Sequence, residues 1–227
     1  MKDLVIIGCG GFGREVFEIV ELINDEKPTW NFKGFVAEKA DQGETIESLT
    51  ILGNLDELFM INNENLYACI AIADIAARKR ISDECYKHGI KFATIISPDL
   101  KQRGDLCTIG EGTIIATGCE MAINSHIGKH CIFNTGSGIG HDTIVGDFVD
   151  MMPYAVAMGD VKISDYCYFG VRATVINGLT ISEHCTIGAC GCVIKNLEEP
   201  GTYVGVPAKL VRPYVGMRSL THEESVK

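Results

Sequence analysis

Apolar and polar positions along this chain follow two different rhythms. Over the first 95 residues, short apolar runs alternate with stretches of helical spacing. "DLVIIG" (3–8) reads as a buried strand. It is followed by "FGREVFEIVELI" (12–23), where Phe12, Val16, Ile19, Val20 and Ile23 recur at the three- and four-residue steps of one helix face. "NFKGFVA" (31–37) and "LYACIAIA" (66–73) predict two more strands, with a short helix after an Asn cap in "NLDELFMI" (54–61) between them. A further helix is predicted from Asp74 to Gly89, then a last strand, "IKFATII" (90–96). Strand and helix in strict alternation predict a small parallel α/β unit.

From residue 109 the period becomes six. Read in sixes, the chain runs through fifteen hexads to residue 198 without a slip, and the first position is apolar in every one, from Ile109, Ile115 and Met121 to Ile181, Ile187 and Val193. A strict period of six fits neither a helix nor a half-exposed strand; it predicts a hexapeptide parallel β-helix, a solenoid of short strands. The fifth residue of one hexad and the first of the next are two apart, so both point inward. The third and fourth positions then fall at corners, and turn formers gather there, as in Glu111-Gly112, Thr135-Gly136 and Asn177-Gly178.

This register accounts for most of the ten cysteines. Cys119, Cys131, Cys167 and Cys185 occupy the fifth, inward position, and Cys107 does so if the repeat begins one hexad earlier. They are small core fillers. Cys190 and Cys192 have no second pair at metal-ligand spacing, so no metal is expected.

Composition excludes some functions. The net charge is −10 and neither half carries the basic patch of a nucleic-acid binder. One stretch, 200–218, holds Lys209, Arg212 and Arg218 and no carboxylate, which suits a phosphorylated ligand. No apolar run is long enough for a membrane span or the core of a signal peptide, so no membrane insertion is expected and a cytoplasmic location is.

Three segments in order, "IIGCGGFGREV", the hexads and "GTYVGVPAKLVR", make the chain resemble the sugar O- and N-acyltransferases of the left-handed β-helix superfamily. Within it, the chain is most similar to the sialic acid O-acetyltransferase and bacillosamine-type UDP-4-amino-sugar N-acetyltransferase groups. The resemblance implies a Rossmann-like acceptor-binding domain over 1–95, a left-handed parallel β-helix over 96–215 and a C-terminal tail over 216–227. It also implies a homotrimer with active sites between neighbouring β-helices, acetyl-CoA as co-substrate, and an acceptor sugar that is nucleotide-linked.

Several site residues follow from the resemblance. His141, third in its hexad, matches the catalytic base, and Asp142 the carboxylate that orients it. Imidazole is suited to take a proton near neutral pH from an amine or hydroxyl attacking a thioester. Gly159 matches the glycine whose N–H stabilises the oxyanion. Val171 and Ala189 match positions along the pantetheine arm. Gly205, Pro207 and Lys209 belong to the closing motif of the cofactor site. Asp150 stands where the family often has a CoA-contacting histidine. Gly8, Gly10 and Gly13 form a G-x-G-x-x-G that alone would suggest a dinucleotide cofactor. A unit of about 95 residues is short for that fold. In the family the loop holds the phosphates of a nucleotide sugar, which assigns Gly10, Gly11 and Phe12 to the acceptor. Glu38, Asp74 and Asn134 are its further expected contacts, although "Ala37-Glu38" and "Ala73-Asp74-Ile75" both depart from the family pattern.

Three other readings fit the residues less well. A zinc hydratase on the same fold needs two histidines five apart, and His126, His130, His141 and His184 lack that spacing. A nicotinamide enzyme is opposed by domain size. A non-catalytic scaffold trimer is opposed by the presence of His141. The corner histidines His130 and His184 have no role on the sequence alone.

Overall fold

The computed structural model describes residues 1–37, 45–46, 49–61, 63–102 and 106–216. The chain divides into two compact units, with the division between Pro98 and Asp99.

The first unit is built on a parallel sheet in the order Trp30–Val36, Lys2–Ile7, Leu66–Ile70, Lys91–Phe92. Three helices connect its strands: Gly11–Glu26, Leu55–Ile61 and Ile75–Lys87. The first buries Val16, Ile19 and Val20, the face predicted from their spacing. Asn54 caps the second, with Oδ1 accepting from the Asp56 N–H at 2.8 Å, and Asp74 caps the third, accepting from Ala77 N at 2.8 Å. Val5, Ile7, Val36, Ile70, Ile81 and Phe92 meet in one core. The expected last strand is broken into Lys91–Phe92 and Ile95–Ile96, and a small antiparallel pair, Thr45–Ile46 with Leu49–Thr50, was not foreseen. From the central strand Lys2–Ile7 the chain goes first to one side and then to the other, so the order reverses at its carboxyl end, where the glycine loop begins. Ligands of open α/β sheets bind at such a point.

The second unit is a left-handed parallel β-helix. Two-residue strands pair with strands 18 residues away, so three hexads make one coil: Ile127 pairs with Ile109 and Val145, and Ile139 with Met121 and Ala157. Of the fifteen first positions, fourteen are buried and Ile109 is half-buried; the fifth positions are buried except for half-buried Leu179. The cysteines at 119, 131, 167 and 185 lie inside with 0–1 % exposure.

The corners obey a rule the sequence does not display. The fourth position of every hexad from Gly112 to Cys190 has positive φ, between 53° and 74°, and ten of these fourteen residues are not glycine. Left-handed backbone costs a non-glycine residue about 1–2 kcal/mol, least for Asn and Asp. Contacts along each corner offset that cost, because residues 18 apart stack into columns. One column is aromatic: His130, Phe148, Tyr166 and His184 stack with centroids 5.0, 5.5 and 4.9 Å apart, and Tyr214 closes it at 4.3 Å from His184. His130 and His184 therefore have a packing role. A second column runs Gly118, Gly136, Tyr154, Arg172, with the Arg172 guanidinium 5.8 Å from the Tyr154 ring centroid. The third is polar and runs Asn124, Asp142, Asp160, Gly178.

Candidate functional site

His141 occupies the third position of the polar corner and Asp142 the fourth. The left-handed turn at Asp142 (φ 60°) brings its carboxylate back onto the preceding side chain, and His141 Nδ1 lies 2.8 Å from Asp142 Oδ2. Asp142 Oδ1 accepts a bond of 2.7 Å from Asn124 Nδ2. That amide bond first, and the His141 contact second, hold the Asp142 carboxyl below its ordinary value. The carboxylate stays ionised near neutral pH and takes up the Nδ1 side of the ring. Nε2 makes no hydrogen bond among the described residues, and the His141 side chain is 63 % exposed. An imidazole held through Nδ1 with a free Nε2 is equipped to accept a proton.

Gly159 lies one coil beyond His141. A Cβ there would stand 2.5 Å from Nε2, so only glycine leaves the ring its place. The Gly159 N–H donates no hydrogen bond among the described residues. Between this corner and the Tyr154 corner, a groove of about 470 Å³ crosses the face formed by Gly138–Ile139 and Val156–Ala157. Gly138 and Gly140 bring backbone to its floor. Down the same face, Met158, Ile176 and Ile194 are exposed apolar side chains.

The other expected cofactor residues are not gathered at His141 within one chain. Val171 and Ala189 are exposed at the corner on the opposite edge of that face. Asn134 is at that far corner too, with Oδ1 accepting from the Thr135 N–H at 2.7 Å. Gly205 and Pro207 lie in the turn between the antiparallel strands Gly201–Val204 and Lys209–Pro213, anchored where Cys192 N donates to the Gly205 carbonyl. Lys209 and Lys195 line a groove of about 560 Å³ beside that hairpin. Asp150 is a correction. Within strand Asp150–Met151 its exposure is 0 %, so it presents no surface to an incoming cofactor.

In the first unit the glycines divide by role. A Cβ at Gly13 would collide with the Gly8 carbonyl oxygen, and one at Gly8 (φ 106°) would lie 2.8 Å from the Ala71 carbonyl oxygen, so both serve close packing. Gly10 and Gly11 have nothing within 4 Å of such a Cβ. They begin a sixteen-residue helix whose first N–H groups and dipole favour an anion. Phe12 is half-buried beside them. A pocket of about 240 Å³ at the same strand ends is lined by Ile7, Val36, Leu55, Ile72 and Arg80. Asp74 engages its side chain as a helix cap, and buried Arg78 gives Nη1 to the Ile72 carbonyl at 2.6 Å. Glu38 lies outside the described residues. Among them, no group of three or more His, Cys, Asp or Glu could hold a metal ion, and no helix is long and apolar enough to cross a membrane.

Sequence reasoning missed Asn124. The signal was available: three hexads make a coil, and Asn124 is 18 residues before Asp142.

Comparison with known proteins sets this geometry in a family. The family described as PglD N-terminal domain matches residues 3–85. GDP-perosamine N-acetyltransferase of Escherichia coli O157:H7 is 28% identical over 174 residues, 77% of this chain and 78% of that protein. The crystal structure of PerB from Caulobacter crescentus, in complex with CoA and GDP-perosamine, superposes with a TM-score of 0.84 at 27% identity, covering 93% of this chain and 98% of that one. That perosamine N-acetyltransferase has also been solved as variants with a histidine replaced by asparagine or by alanine. WeeI from Acinetobacter baumannii AYE gives a TM-score of 0.83 at 26% identity over 93% of this chain and 100% of its own. These likenesses run through both units of the chain and support a sugar acyltransferase of the hexapeptide-repeat superfamily.

Proposed function

We propose that the protein transfers the acetyl group of acetyl-CoA to the amine of a nucleotide-linked amino sugar, with His141 as the general base. The observation that carries this reading is the His141–Asp142 pair, held through Nδ1 at 2.8 Å with Nε2 open. The acceptor nitrogen attacks the thioester carbonyl. As the C–N bond forms, Nε2 takes the amine proton. The carbonyl oxygen becomes an oxyanion, and the Gly159 N–H, which donates no hydrogen bond among the described residues, is its candidate donor. Collapse breaks the C–S bond, and the CoA thiolate leaves with a proton returned by the imidazolium. A thiolate leaves readily, so no acyl-enzyme is needed and alignment of the two substrates supplies much of the rate.

The acceptor's phosphates suit the open helix start at Gly10 and Gly11, and its base suits the apolar pocket at the same strand ends. The relatives that act on GDP-perosamine favour an amine over a hydroxyl as the group acylated. The working form we infer is a homotrimer. The exposed strip of Met158, Ile176 and Ile194 beside the groove supports it, since a second copy there would cover apolar surface. It would also bring another chain's Val171–Ala189 corner towards His141. Ten free thiols suit a reducing, cytoplasmic setting.

The test is a panel of GDP-, UDP-, dTDP- and CMP-linked amino sugars, with free sialic acid, incubated with acetyl-CoA and followed by mass spectrometry. An acetylated amino sugar made by the wild type and not by His141→Ala is the expected result. Unchanged turnover in His141→Ala overturns the mechanism, and acetylation of sialic acid alone overturns the acceptor class.

A further inference from the structure

Asn124 stands one coil ahead of Asp142, and both occupy the fourth, left-handed position, with φ of 57° and 60°. Stacked corners put their side chains in register. Asn124 Nδ2 donates to Asp142 Oδ1 at 2.7 Å, while Oδ2 lies 2.8 Å from His141 Nδ1. Each carboxylate oxygen is thus engaged by a different residue. A carboxylate only accepts, so the amide must present its nitrogen, and the Asn124 side chain has one orientation that satisfies the contact.

We infer that Asn124 is a positioning residue of the acyl transfer: it fixes the Asp142 carboxylate in the rotamer that holds His141 through Nδ1 and leaves Nε2 facing the groove. The inference rests on His141 acting as the base. The backbone favours Gly, Asn or Asp. Glycine has no donor. Aspartate has the shape but, when ionised, sets a second negative charge against Asp142. Asparagine alone of the three combines a left-handed backbone with an N–H to give. The bond is half-exposed, so its effect is on orientation more than on folding.

The test compares Asn124→Gly, Asn124→Asp and His141→Ala by kcat, by KM for acetyl-CoA and for an amino-sugar acceptor that the wild type acetylates, and by thermal melting. Loss of a hydrogen bond to a charged group predicts a fall in kcat of about ten-fold for Asn124→Gly, with both KM values within about two-fold of wild type. Asn124→Asp falls further at neutral pH although it keeps shape and backbone preference. That order separates positioning from packing, because a packing role makes the aspartate variant the milder one. If both Asn124 variants keep wild-type kcat, or aspartate is milder than glycine, while His141→Ala is inactive, the role of Asn124 is refuted and that of His141 stands. If His141→Ala remains active, the base assignment itself is refuted.

Discussion

Gly159 and His141 meet face to face across one coil of the β-helix: a methyl on Gly159 would stand 2.5 Å from His141 Nε2. The backbone at Gly159 does not have positive φ, so alanine is tolerated there in itself. The nearest conflict is with the imidazole, and the exposed ring yields by leaving its place beside Asp142. Gly159→Ala is therefore expected to fold and melt close to the wild type and to lose kcat by about 10²-fold, the lower end of what positioned acid–base catalysis supplies. Parallel melting curves and steady-state rates check this. A variant that keeps its rate would show that the ring need not stay where the structure puts it.

Asp142 sets the expected dependence on pH. Its carboxyl is held below the ordinary range by Asn124 and then by His141. A depressed folded-state value means that its contribution to stability is present above the unfolded value, about 3.9, and is lost as pH falls through the folded one. Asp142→Asn keeps the left-handed corner and removes the charge. Its melting temperature should sit below the wild type at neutral pH, and the two should converge in acid below that value. Without the carboxylate the ring loses its anchor at Nδ1, so the kcat plateau should fall. Melting and rate profiles of both proteins measure the two effects separately.

The aromatic column makes a contrasting forecast for the other corner histidines. His184 lies between Tyr166 and Tyr214, nearly parallel to both. Phe148 already occupies the same left-handed position in that column. His184→Phe is thus expected to preserve both melting temperature and kcat. Tyr166→Ala breaks two stacking contacts and should cost about 1–3 kcal/mol in denaturant unfolding. A large loss of kcat in His184→Phe without loss of stability would assign that histidine a chemical role.

These cases mark where the sequence was readable. A period of six kept through fifteen hexads reports the inward positions directly, because each coil repeats the burial of the last; hence Ile139, Val145 and the inward cysteines were legible. The α/β order was legible for the same reason, while its last strand was not, since "IKFATII" gives no sign of the break between Phe92 and Ile95. What lies along the stacking axis is written at a distance of 18. Asn124 over Asp142, and His130 in line with His184, become visible only when hexads are read in threes. Asp150 was matched to a cofactor position by likeness to the family alone, and its burial depends on what covers the face and not on the period. His141 itself was singled out by likeness to a motif; the structure adds the physical distinction, since it precedes the left-handed position that His130 and His184 occupy.

The glycine loop offers the last forecast, because its glycines differ in what surrounds them. Gly13 is packed so closely on Gly8 that a Cβ would strike the Gly8 carbonyl, a backbone atom that cannot swing aside. Gly13→Ala should destabilise the first unit by about 1–3 kcal/mol, the usual cost of overpacking. Gly10 and Gly11 meet nothing within 4 Å. Gly11→Ala should leave melting unchanged, and alanine favours the helix that starts there. If the N–H groups of this turn receive the acceptor's phosphates, a methyl group added there blocks close approach. KM for the nucleotide sugar should then rise about ten-fold, with KM for acetyl-CoA unmoved. Measuring both constants in one variant distinguishes the two binding sites: a rise in the acetyl-CoA constant alone would move the phosphates of the cofactor, and not those of the acceptor, to the start of this helix.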